Sequence, residues 1–123
     1  MKLLLDTHIL LWLVFDDRRL DPAVRDTIAA ADIHVSAVSV VEVSIKTALG
    51  KLVVDPDLWD RLHESGVTAL PITWDHAQVV RALPLHHRDP FDRLLVAQAQ
   101  VEGLTLVTAD AAVKRYDVAL MPI

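Results

Sequence analysis

Apolar residues recur along the chain in two rhythms. Lys2 to Leu5, Ile33 to Val35, Val67 to Leu70, Leu104 to Val107 and Val118 to Met121 are short runs rich in leucine and β-branched residues, which predict five buried strands. Between them lie longer stretches with helical spacing: Ile9 to Val14, Pro22 to about Ala31, Val38 to Leu49, Pro56 to about Glu64, Trp74 to about Leu83, Pro90 to Glu102 and a short one at Ala111 to Arg115. Asp21-Pro22, Asp55-Pro56 and Asp89-Pro90 are helix-start signals, a capping acid followed by a proline at the first helical position. Gly50, Ser65-Gly66 and Gly103 mark helix ends. Strands that alternate with helices predict an α/β fold, a five-stranded, mainly parallel sheet with helices on both faces. No repeat, linker or low-complexity tract interrupts the order, so residues 1–123 are expected to form a single domain.

Polar residues break the apolar stripes at a few places. On the helix predicted at 38–49, Val38, Val41, Glu42, Ile45 and Leu49 share a face, and Glu42 is its only polar member. On the helix predicted at 90–102, Asp92, Leu95, Val96 and Ala99 share the face expected to pack on the sheet, while Asp89 precedes the helix as its cap. Asp6 directly follows the first strand and Asp110 the fourth, and ligands of open parallel sheets bind beyond the carboxyl ends of strands. Each strand-end aspartate also suits the ordinary role of capping the next helix. A carboxylate on a buried stripe is costly unless it is paired or protonated. Lys46 and Arg93 are the nearest basic residues for an internal ion pair. The alternative is that Asp6, Glu42, Asp92 and Asp110 converge on a cation. An oxygen-only ligand set in a chain without cysteine suits Mg²⁺ or Mn²⁺ better than structural zinc.

Charge and composition narrow the classes. The net charge of −5 excludes a protein that grips nucleic acid by bulk positive charge. Without the four acids the remainder would carry −1, so most of the acidity belongs to the candidate site. Arg18, Arg19, Lys46, Lys51, Arg88 and Arg93 remain to meet phosphates. With 53% hydrophobic residues the chain should hold a packed core, and no apolar run reaches the roughly 18 residues of a membrane span. Asp6 and His8 interrupt the leucine-rich start, which reads as a strand and a helix rather than a secretion signal. A cytoplasmic location is the default expectation. His86 and His87 read as a solvated loop, His8 as a helix-start residue, and Trp12, Trp59 and Trp74 as packing or interface residues.

Four stretches, LLLDTHILLW (3–12), SAVSVVEVSIKTALGKL (36–52), HRDPFDRLLVAQA (87–99) and LTLVTAD (104–110), together resemble PIN-domain proteins of the VapC-type toxin family. The resemblance spans nearly the whole chain in the family's order. It implies a Rossmann-like sandwich and a Mg²⁺- or Mn²⁺-dependent endoribonuclease. It also implies neutralisation by a cognate VapB-type antitoxin, and a homodimer. Carried over by position, the family's acids fall on Asp6, Glu42, Asp92 and Asp110, with Asp6, Asp92 and Asp110 as the implied metal ligands. Asp89 matches the first acid of the DPFDR segment and Thr108 the hydroxyl of T-x-D, both as auxiliary residues. A receiver-like signalling domain would need an acidic pair after the first strand, and a haloacid-dehalogenase-type phosphatase an acid at position 8, where His8 stands. A non-catalytic PIN-like binding module is the remaining alternative, and the four intact acids speak against it.

Overall fold

A computed structural model describes residues 1–123. Five strands, β1 (Lys2–Leu5), β2 (Asp32–Ser36), β3 (Thr68–Leu70), β4 (Thr105–Val107) and β5 (Leu120–Met121), form one sheet in the order β3-β2-β1-β4-β5. Every pairing is parallel. Six α-helices cover it: α1 (Thr7–Val14), α2 (Pro22–Ala29), α3 (Ala37–Ala48), α4 (Leu58–Glu64), α5 (Trp74–Val79) and α6 (Pro90–Glu102).

The register explains the two-sided burial of the central strands. Leu4 lies beside Leu106, and Leu5 beside Val107. Leu4 and Leu106 join a core with Val38, Leu95, Val96 and Ala99 on one face. Leu3, Leu5 and Val107 join Ile9, Leu10, Leu20 and Ile28 on the other. Successive side chains point to opposite faces, so a strand covered on both sides must be apolar at every position. No helix is long and apolar enough to cross a membrane.

Caps place the helices largely where the sequence signals them. Asp21 accepts a hydrogen bond from Ala23 N, and Asp89 accepts them from Phe91 N at 2.8 Å and Asp92 N at 3.4 Å. Gly103 ends α6 at φ 65°, a left-handed conformation that suits a residue without Cβ. The Asp55-Pro56 signal is displaced. The Asp55 carboxylate is held by Arg61 at 3.0 Å, and α4 begins at Leu58 without a side-chain cap. The helix expected through Leu83 ends as α5 at Val79 and continues as a 3-10 turn over Val80–Ala82. The one expected at 111–115 is a 3-10 turn over Val113–Arg115 that leads into the buried Tyr116.

The stripe expected on α3 is rotated. Val38, Ser39, Glu42 and Val43 face inward, whereas Val41, Ile45 and Leu49 are exposed, Leu49 by 64%. The cause is polar. Thr7, at the start of α1, hydrogen-bonds both Ser39 and Glu42 at 2.8 Å, which turns the Ser39–Glu42 side of α3 toward the end of β1.

Candidate acidic site

The strand order reverses between β1 and β4, so the loops that follow these neighbouring strands diverge and leave a crevice. Asp6 ends β1 and Asp110 follows β4. Both also serve as caps, so the capping role and the site role coincide in the same side chains. Asp6 Oδ1 accepts from His8 N at 3.1 Å. Asp110 Oδ1 accepts from Ala112 N and Val113 N at 2.8 and 3.1 Å, which leaves Oδ2 turned to the site. Thr108 joins the two acids. Its hydroxyl donates to Asp6 Oδ2 at 2.6 Å and accepts from Asp110 N at 3.0 Å. Asp6, His8, Trp12, Ala109 and Asp110 line an open pocket of about 270 Å³ beside this junction.

Asp92 arrives from the first turn of α6, on the buried stripe with Leu95, Val96 and Ala99. Its carboxylate accepts no hydrogen bond. Burial pushes its pKa up to about 7, and the negative charges of Asp6 and Asp89 add to the shift. Glu42 comes from α3. Burial raises its pKa too, opposed by the hydrogen bond from Thr7. Asp110 behaves differently. Burial works to raise its pKa, but the hydrogen bonds from Val113 N, His87 and Ala112 N outweigh it and the net shift is downward. Such a set of crowded carboxylates is what a divalent cation relieves.

The tightest group is not the one expected. Side-chain ligand atoms of His87, Asp92 and Asp110 lie within 4.8 Å of one another, while Asp6 is tied to the Asp110 turn through Thr108, and Glu42, held by Thr7, acts on Asp92 through its charge. His87 Nε2 stands 3.1 Å from both Asp110 Oδ2 and Asp92 Oδ2. The loop reading of His87 is therefore corrected: the ring folds over the acids instead of pointing to solvent. Its place in HHRDPFD, five residues before Asp92, was the only available signal. Arg93 is corrected as well. It is 8% exposed and pairs with no carboxylate, and its guanidinium donates instead to the carbonyls of Val80, Leu83, Pro84 and His87. It is neither an ion-pair partner for the acids nor a surface contact for phosphate. Asp89 keeps its capping role. Of the tryptophans, Trp12 and Trp59 pack against the core, and Trp74 is 87% exposed.

The PIN domain family model matches residues 3–119. The chain belongs to the PIN domain family. PIN domains are generally nucleases and typically use a divalent metal. Solved structures agree on the fold. VapBC2 from Rickettsia felis, bound to a promoter DNA fragment, matches with a TM-score of 0.73 and 18% identity, over 98% of each chain. A toxin–antitoxin complex from Klebsiella pneumoniae matches with a TM-score of 0.67 and 22% identity, over 97% of this PIN domain and 95% of that chain. FitAcB from Neisseria gonorrhoeae gives 0.63 and 23%, over 98% and 96%. A search of curated proteins finds no match.

Proposed function

We propose that this PIN domain is a metal-dependent endoribonuclease toxin of the VapC type. The observation that carries the reading is a carboxylate cluster beyond β1 and β4 of a PIN-domain chain, in which Asp92 and Asp110 lie within ligand distance, Thr108 ties Asp6 to the Asp110 turn, and the charges of Asp6 and Glu42 act on Asp92. The donor set fits a hard divalent cation such as Mg²⁺ or Mn²⁺. It is built from carboxylate oxygens, and Asp92, the acid with no hydrogen bond, is the one most disfavoured as a bare charge. Asp6, Asp92 and Asp110 would hold the ion and Glu42 complete the cluster. When bound, such an ion activates water and neutralises charge on the phosphoryl oxygens.

The chain's own residues supply the rest. Thr108 and the caps fix Asp6 and Asp110, and Thr7 fixes Glu42. Water attacks phosphorus in line and the P–O3′ bond breaks. One proton of the water passes to a cluster carboxylate not committed to the ion, for which Glu42, held in place by Thr7, is at hand. The leaving oxygen takes a proton, giving 5′-phosphate and 3′-hydroxyl ends. The test is cleavage of RNA with Mg²⁺ or Mn²⁺ and its loss in EDTA. Asp6→Asn should abolish cleavage with the circular dichroism spectrum unchanged. Wild-type cleavage by that variant, or cleavage that survives EDTA, would remove the basis of the assignment.

Two surfaces support protein partners for such a toxin. An apolar groove of about 950 Å³, lined by Val14, Phe15, Val53, Pro56, Leu58 and Leu62, lies between α1 and α4. It suits an apolar segment of a VapB-type antitoxin, in keeping with the toxin–antitoxin complexes among the structural neighbours. The exposed Val41, Ile45 and Leu49 stripe on α3 suits the contact of a homodimer.

A further inference from the structure

His87 stands closest to the acids yet has no role in the reading above. We propose that His87 is a positioning residue whose Nε2–H, hydrogen-bonded to Asp110 and 3.1 Å from Asp92, sets the two carboxylates beside each other so that the pair can take a divalent cation. The proposal rests on the metal-dependent reading of the site and adds to it the group that sets the geometry of two of its acids.

The tautomer follows from the backbone. Asp89 N–H donates to His87 Nδ1 at 3.0 Å, so that nitrogen offers its lone pair and the ring proton belongs to Nε2. Protonated nitrogen does not ligate a cation. The three-residue group of His87, Asp92 and Asp110 is therefore two oxygen ligands and one donor rather than three ligands. Nε2 hydrogen-bonds Asp110 Oδ2 and lies equally close to Asp92 Oδ2, both at 3.1 Å. Asp110 Oδ1 is already committed to Ala112 N and Val113 N. The donor thus engages the Asp110 oxygen that the turn leaves free, with an Asp92 oxygen that makes no hydrogen bond at the same distance. Without it the two carboxylates would face each other with their repulsion unrelieved.

The loop that carries the ring is tied down for this purpose. His87 N donates to the Tyr116 hydroxyl at 3.0 Å, and Arg93 donates to the same hydroxyl at 3.2 Å. The remaining Arg93 donors go to the carbonyls of Val80, Leu83 and Pro84, so a buried cation organises the loop backbone from within. An imidazole fixed at its peptide, at Nδ1 and at Nε2 is set in one orientation. Donors placed behind ligating groups are worth 10- to 100-fold in metal affinity.

Calorimetric titration of EDTA-stripped protein with Mn²⁺ tests this without reference to activity. His87→Asn keeps an acceptor for Asp89 N–H but lacks a donor at the Nε2 position, and should weaken Mn²⁺ binding about tenfold or more. His87→Gln, whose amide N–H reaches farther, should restore most of the affinity. Nitrogen-15 NMR of the metal-free wild type should show the His87 proton on Nε2. Mn²⁺ affinity unchanged or higher in His87→Asn overturns the proposal. So does a proton found on Nδ1, or a His87→Gln variant as weak as His87→Asn, which would mean that the imidazole itself binds the ion. Wild-type protein that takes up no Mn²⁺ would instead bring down the metal-dependent reading, and this proposal with it.

Discussion

Asp92→Asn should make the metal-free protein more stable at alkaline pH while it removes activity. The wild-type carboxylate is buried, accepts no hydrogen bond and lies in the field of Asp6 and Asp89, and its pKa rises from 3.8 to about 7. Folded protein therefore holds this proton more tightly than unfolded chain does. The stability that neutral Asp92 confers is fully present below about pH 4, declines as pH rises toward 7, and is gone above it. A shift of about three pH units corresponds to about 4 kcal/mol at 1.36 kcal/mol per unit. The Asp92 side chain keeps 12% exposure among polar neighbours, and their relaxation around the charge reduces this to about 2 kcal/mol. For a chain of this length that is about 8 °C in Tm. The assay is thermal and urea denaturation in EDTA at pH 8 and pH 5. The variant should exceed wild type at pH 8, and at pH 5 the gap should shrink to less than half. Mn²⁺ should then raise the Tm of wild type and leave the variant unmoved. A variant no more stable than wild type at pH 8, or a gap equal at both pH values, would refute the electrostatic reasoning.

Other perturbations address the supports of the site and its partner surfaces. Thr108→Val deletes the hydroxyl between Asp6 and Asp110; it should lower kcat about 10- to 100-fold and stability by about 1–2 kcal/mol, and Thr108→Ser should recover most of both in RNA cleavage and urea melts. Phe15→Asp places a charge in the groove between α1 and α4, so cleavage by the purified protein should persist while a co-expressed cognate antitoxin no longer suppresses toxicity. Suppression equal to wild type would move the antitoxin contact elsewhere. Ile45→Asp should convert a dimer to a monomer in light scattering, and an unchanged mass would clear the α3 stripe of that role.

The fold was legible in the sequence because parallel strands buried on both faces leave uninterrupted apolar runs, and because Asp-Pro pairs mark two of the helix starts. The burial of Glu42 and Asp92 was legible for a related reason: a lone carboxylate inside an apolar stripe stands out. Periodicity misjudged α3, where Val41 and Ile45 read as core. The helix is rotated by the Thr7 contacts to Ser39 and Glu42, which span more than 30 residues and have no local signature. His87 was illegible for the same cause. A histidine in a polar loop looks solvated until Tyr116 and Arg93, which come later in the chain, fold the loop onto the acids. Asp55-Pro56 misled in the opposite direction, because Arg61 draws Asp55 away from the helix it would cap.

The pairing of β1 with β4 also makes the centre all-or-none. Asp6 and the Thr108 hydroxyl that orients it stand 102 positions apart in the chain and meet only because these two strands are neighbours. The Asp110 turn hangs from the same hydroxyl. Any separation of β4 from β1 would therefore take the support from both strand-end acids together, so the site comes apart as one unit and not acid by acid.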